Sequence, residues 1–172
     1  MSDITVRTLT EDEWERYRSV RLSALEESPD AFAATLEEER GYDEELWRDR
    51  MRRSRRLVAE RQGEAVGVAS LGRHSENERV AELFGLWVAP TARGTGVASQ
   101  LVQAGADVAR AQRSTHLAYW VSTENGRAVA FASGFGFRPT DSRRPMRVRT
   151  SDAEEEIAMV LPLGDDRGVP SL

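Results

Sequence analysis

Val80-Ala81-Glu82-Leu83-Phe84-Gly85-Leu86-Trp87-Val88, then Ala89-Pro90-Thr91-Ala92, then Arg93-Gly94-Thr95-Gly96-Val97-Ala98-Ser99, is the stretch on which the reading of this chain turns. Its first nine residues are apolar apart from one acid and one glycine. They read as a central strand, with Gly85 marking a bulge, and Pro90 ends it. From Gly96 onward Val97, Leu101, Ala104, Val108 and Ala111 recur at steps of four and three, the period of a helix that buries one stripe. Two glycines therefore stand between a strand and a helix. Glycine permits positive φ and close backbone approach. The first amides of the helix lack intrahelical acceptors and sit at the positive end of its dipole, a setting suited to a phosphate. A plain tight turn into a helix uses glycines in the same way. A Walker A loop is excluded because no Gly-Lys-Ser/Thr follows. A dinucleotide fingerprint fails because Ser99 and Gln100 occupy its third glycine position.

Outward from this stretch, strands and helices interleave. Upstream, alternation at Ile4, Val6 and Thr8 gives a strand, and Thr10 with Glu13 forms a capping box for a helix carrying Trp14, Tyr17, Val20 and Ala24 on one face. Ser28-Pro29-Asp30 stops that helix. A second helix is expected over residues 43–51, with Leu46, Trp47 and Met51 inward. Residues 56–60 and 65–71 flank Gln62-Gly63-Glu64 as a hairpin, and the polar stretch 73–79 is another turn. Downstream, residues 117–121 form a strand covered on both faces, 125–133 a helix, 136–139 the start of a strand and 157–161 a last strand. The class is mixed α/β around one sheet, with residues 1–172 as a single domain.

The chain has 172 residues, 40% hydrophobic and 31% charged, and no apolar run approaches the roughly 20 residues of a membrane span. Residues 1–7 lack the basic-then-apolar pattern of a secretory signal, so a cytoplasmic protein is expected. With no cysteine there is no thiolate nucleophile and no Cys-ligated zinc. All 24 basic residues are arginine, which removes Schiff-base and P-loop lysines. A net charge of −5 argues against a nucleic-acid partner, although a local basic patch stays open. His74 in a polar turn and His116 at a strand start lack metal-ligand spacing, so structural or surface roles and no metal are expected.

Arg93-Gly94-Thr95-Gly96-Val97-Ala98 resembles the Gln/Arg-x-x-Gly-x-Gly/Ala signature of the GNAT N-acetyltransferases. Leu86 to Pro90 precede it, and Asn125-Gly126-Arg127-Ala128 and Gly136-Phe137 follow, at that family's spacing. The resemblance implies a central, mostly antiparallel sheet with a parallel, splayed strand pair flanked by helices, and acetyl-CoA as cosubstrate in the gap. It implies that the loop from Arg93 through Gly94, Thr95, Gly96, Val97 and Ala98 to Ser99 holds the CoA pyrophosphate. Main chain at Leu86 and Trp87 would pair with pantetheine, the Val88 amide would meet the thioester carbonyl, and Asn125 would contact the cofactor from the last helix. The implied reaction is acetyl transfer to a primary amine of a small molecule or peptide by direct attack in a ternary complex. Dimers are common in such proteins, which leaves a homodimer open.

An alkylamine is almost fully protonated at neutral pH, so a base is needed. Glu82 is the acid within the apolar strand and matches the place where histone-type members keep their catalytic glutamate. Lying six residues before Val88, it is expected on the same face. Solvation or pairing with an arginine is the plainer role for such an acid. Tyr119 and Trp120 are expected to pack or to line the gap. Many members carry a tyrosine seven residues after the helix asparagine to protonate the departing thiolate, and here that position is Ala132. Water, Ser133 or Tyr119 could substitute. The alternative is a module that binds CoA with little or no turnover. Acids from Glu26 to Glu45 border the implied acceptor site and would favour a cationic amine, or form a solvated face. Arg143, Arg144, Arg147 and Arg149 make an opposite patch that could meet a phosphate or an acidic acceptor, or balance Asp152 to Glu156.

Overall fold

The computed structural model describes residues 3–145, 155–164 and 168–172. Seven strands form one sheet: β1 (Ile4–Thr8), β2 (Arg55–Arg61), β3 (Glu64–Arg73), β4 (Val80–Val88), β5 (His116–Ser122), β6 (Arg138–Pro145) and β7 (Glu155–Pro162). Their spatial order is β1-β2-β3-β4-β5-β7-β6. Every neighbouring pair is antiparallel except β4 and β5. The expected mixed sheet with one parallel pair is thus the observed one.

Five helices cover the sheet: α1 (Trp14–Glu27), α2 (Leu36–Arg40), α3 (Glu44–Arg53), α4 (Val97–Ala111) and α5 (Gly126–Phe135). On one face α4 lays Val97, Leu101, Val102, Ala106 and Ala109 against Leu57, Ala69, Leu71 and Leu83, and α5 adds Ala132 beside Phe137. On the other, Tyr17, Val20 and Ala24 of α1 and Trp47 of α3 meet Val58, Val68 and Trp87. Burying both faces explains the near-continuous apolar runs of β3 and β4.

The capping box forms as read: the Thr10 amide donates to Glu13 Oε1 at 3.0 Å. It opens on a 3-10 turn, Glu11–Glu13, which runs into α1. The helix expected at 43–51 is α3, capped by Asp43, whose Oδ1 accepts from the Leu46 amide at 2.9 Å. The short α2 was not expected. Arg147 and Arg149, with Asp152, lie outside the described residues.

The expected bulge in β4 is present and overturns one inference drawn from spacing. Between the pairs Val68↔Trp87 and Ser70↔Phe84, β4 advances three residues while β3 advances two. The extra residue is taken up where Gly85 has φ +62°, a conformation that disfavours any side chain. Ala81 and Leu83 before the bulge, and Leu86 and Val88 after it, all pack on the α4 side. Glu82 therefore points to the α1 side, opposite Val88 rather than with it. An even spacing preserves the face only in an uninterrupted strand.

Candidate active site

β4 and β5 pair in parallel from Val80↔His116 to Leu83↔Tyr119, and there the ladder stops. Beyond it β4 continues to Val88 along β3, while β5 continues to Ser122 along β7. The two strands part into a gap whose walls are residues 84–88 and 120–122. Both run toward the same edge of the sheet. The loops that follow them, with the Gly94/Gly96 turn after one and Asn125 after the other, stand on either side of the opening.

Gly94 and Gly96 have φ of +78° and +86°, and nothing lies within 4 Å of where a Cβ would stand on either. Gly96 is the N-cap of α4 and offers no side chain to cap it. The first intrahelical bond runs from the Gln100 amide to Gly96 O at 3.1 Å, so the amides of Val97, Ala98 and Ser99 precede the α-helical ladder. Thr95 ties the turn by donating its hydroxyl to Ala92 O. Val97 is buried beneath it. Arg93 folds back: its Nε donates to Val88 O at 3.0 Å, and its guanidinium pairs with Glu27, which also accepts from Trp87 Nε1 at 3.0 Å. Hydrogen bonds from Ser28, Trp87 and Arg93 hold the Glu27 carboxyl below its ordinary range. Trp87 thus faces α1, while Leu86 and Val88 face α4. Asn125 is exposed and caps α5, its Oδ1 accepting from the Ala128 amide at 3.1 Å.

Glu82 sits beside the end of the parallel ladder, with its side chain 22% exposed. Trp120 Nε1 donates to its Oε1 at 3.1 Å. His74, 8% exposed, brings Nε2 to 3.7 Å from the same oxygen. The Glu76 amide donates to His74 Nδ1 at 3.2 Å, so in the neutral ring Nε2 carries the proton and faces the carboxylate. His74 is the residue that sequence reading missed. The signal was available in the hairpin register: Gly72↔Glu82 and Arg73↔Ala81 bring position 74 back beside the start of β4. His116, by contrast, is structural, its ring bonded to Thr115 Oγ1 at 3.0 Å and Gly168 O at 2.8 Å.

The Glu82 carboxylate opens into a cleft of about 600 Å³. Phe32, Phe84, Tyr119 and Trp120 supply its aromatic walls, and Arg21, Arg53, Arg73 and Arg144 its charge. Arg144 lies 4.1 Å over the Trp120 ring and pairs with Glu156 at 2.7 Å, so this part of the predicted basic patch balances an acid and borders the cleft. Burial and then Glu156 push the Tyr119 hydroxyl up. The acidic segment 26–45 borders the cleft through Ala31, Phe32, Ala33 and Ala34, while several of its carboxylates turn elsewhere. Glu39 is buried between Arg21, at 2.9 Å, and Arg50, at 2.7 Å. Burial alone would raise Glu39, but these two arginines outweigh it and hold the carboxyl low.

A sheet split at its one parallel pair, with a glycine turn and an uncapped helix start at the opening, defines the GNAT acetyltransferase fold. The sequence model described as the Acetyltransferase (GNAT) family matches residues 8–137, and the chain belongs to that family. A mycothiol acetyltransferase of Beutenbergia cavernae is 29% identical over 130 residues, 76% of this chain and 43% of that protein. The chain thus spans less than half the length of that relative. Among solved structures, an acetyltransferase of the GNAT family from Streptococcus pneumoniae superposes with a TM-score of 0.76 at 15% identity, covering 94% of this chain and 100% of that one. The yncA protein of Salmonella typhimurium, solved with its cofactor acetyl-CoA, gives 0.73 at 17% identity, covering 98% and 99%. Among the described residues, no helix is long and apolar enough to cross a membrane.

Proposed function

We propose that this chain transfers the acetyl group of acetyl-CoA to a primary amine of a small molecule or peptide, by direct attack in a ternary complex. The observation that carries the reading is the break in the β4–β5 ladder after Leu83↔Tyr119, with an uncapped helix start at its outer end and a carboxylate at its inner end. The open space around Gly94 and Gly96 and the unladdered amides of Val97, Ala98 and Ser99 fit a diphosphate. Main chain of Leu86, Trp87 and Val88, on the strand edge that leaves β5, would hold the pantetheine arm, with Asn125 across the gap. Acetyl-CoA supplies an activated acyl carbon and a thiolate leaving group.

Glu82 takes the proton that the incoming ammonium must lose, directly or through one water. Trp120 and His74 position its carboxylate from two sides. The bulge at Gly85 puts this base on the α1 face, in the aromatic cleft, so the amine would enter from that face while the thioester lies in the gap along β4. The Val88 amide would donate where negative charge grows on the acyl oxygen. Ala132 is fully buried in α5 and offers no proton. A thiolate, whose thiol has an ordinary pKa of about 8.5, is a tolerable leaving group without a dedicated acid, and water, Ser133 or Tyr119 would return its proton.

The test is CoA release by the purified chain with acetyl-CoA and a panel of primary amines, followed by mass analysis of the product. An amine-dependent release with an acetylated product is expected; release at background for every member counts against it. Ala132 favours one second reading, a module that keeps CoA with little or no turnover. Tight acetyl-CoA binding alongside no transfer would select it.

A further inference from the structure

We infer that the acceptor amine carries an anionic group, a carboxylate or a phosphate, which Arg53 and Arg73 receive at the exposed border of the Glu82 cleft. The inference rests on the acetyltransferase reading for the identity of the cleft, but its own evidence is the distribution of charge. The chain as a whole is acidic, with a net charge of −5. Its cleft is not: four arginines line it against Glu82 and Glu156. A second cavity, of about 850 Å³, shares Arg53, Ser54, Gly72 and Arg73 with the first and adds Arg52 and Arg55. The two form one groove, and their junction is its most basic point.

Three of the six arginines around the groove are already paired with buried or bordering acids. Arg21 holds Glu39, Arg52 holds Glu11 at 2.8 Å, and Arg144 holds Glu156. The junction differs. Among the described residues no carboxylate lies within 4 Å of Arg55 or Arg73. Arg53 has only Asp49, at 3.1 Å, in a helical i,i+4 pair exposed at 60% and 48%. An exposed pair of this kind contributes little and yields readily to a better-placed anion. Behind the cleft wall a further positive charge lacks a carboxylate partner among the described residues. The guanidinium of Arg56 is buried and bonds to Arg50 O at 3.0 and 3.2 Å and to Ser70 Oγ at 2.7 Å, stacked 5.6 Å from the ring of Phe84. A guanidinium keeps its charge when buried, so this cation adds to the field in the groove.

Gly72 pairs with Glu82 and Arg73 with Ala81 across the β3–β4 hairpin. Paired residues share a face of the sheet, so Arg73 leaves β3 on the face opposite Glu82 and borders the cleft from the exposed end of the strand, as Arg53 does from the end of α3.

The experiment compares matched amines with the intact chain, CoA present for binding and acetyl-CoA for turnover. O-phosphoethanolamine is set against ethanolamine and β-alanine against its amide, by calorimetry and by CoA release. Tighter binding of the anionic member, by tenfold or more and weakening as salt rises, is expected. A preference in the phosphate pair alone, or in the carboxylate pair alone, names the anion. In Arg53→Gln/Arg73→Gln the preference should fall toward unity, and Arg73→Lys should restore part of it. Equal binding of both members, binding of neither, or a preference that survives the double substitution overturns the inference. Anion-selective binding without acetyl transfer would keep this site and sink the acetyltransferase reading. Transfer to the neutral amines with no anion preference would do the reverse.

Discussion

At Glu82 an apolar strand gives one position to a carboxylate, and the residues around it come from four separate places in the chain. Trp120 arrives from β5, His74 from the β3–β4 turn, and Phe84 and Arg21 border the cleft into which it opens. Replacing Glu82 by Gln keeps the shape and removes the proposed base. We expect kcat to fall by roughly 10²–10⁴-fold, with acetyl-CoA affinity within about twofold of the parent. Steady-state kinetics paired with calorimetry checks both halves. Glu82 itself was legible, because an acid inside an apolar run is conspicuous. Its partners were not: Trp120 reads as packing, and His74 as a turn residue until strand register is known.

The elements were legible where one local signal dominates. The 3.6 period of Val97, Leu101, Ala104, Val108 and Ala111 predicts α4, and the Thr10/Glu13 box predicts the entry to α1. The short α2 carries too few residues to show a period. The face of Glu82 was lost because the bulge at Gly85 reverses parity halfway along β4, and a bulge that is seen must also be counted. The capping box yields a prediction in pH. Hydrogen bonds from Arg7 and then the Thr10 amide lower Glu13 to about 2. Its folded value lies below the unfolded one, about 4.3, so the stabilisation is complete above that pH and is lost as pH falls toward 2. The urea midpoints of the parent and Glu13→Gln should differ at pH 7 and draw together as pH falls from about 4.3 toward 2. A gap that stays constant would show that the carboxylate charge is not the source.

Across the whole molecule, the sheet order β5-β7-β6 and the convergence of α1, α2 and α3 on one carboxylate were beyond the sequence. Both depend on contacts between residues far apart in the chain, and no local period encodes them. Glu39, 2% exposed, joins the three helices by binding Arg21 of α1 and Arg50 of α3. Glu39→Ala would leave two guanidinium groups without their partner. A loss of about 3–5 kcal/mol is expected, which in a chain of this size lowers Tm by roughly 6–20 °C. Differential scanning calorimetry reads it directly, and a fall below 2 °C would mean that water replaces the carboxylate without cost. Arg21 also lines the cleft, so the same substitution should raise the acceptor KM more than it lowers kcat.

The central claim is that the start of α4, reached through Gly94 and Gly96, grips the diphosphate of CoA. Titration calorimetry of acetyl-CoA into the parent chain and into Gly94→Val/Gly96→Val, with circular dichroism to confirm that the variant is folded, tests it most directly. Binding to the parent and a loss of at least tenfold in the folded variant are expected. Equal affinity in both, or no binding to the parent, would contradict it.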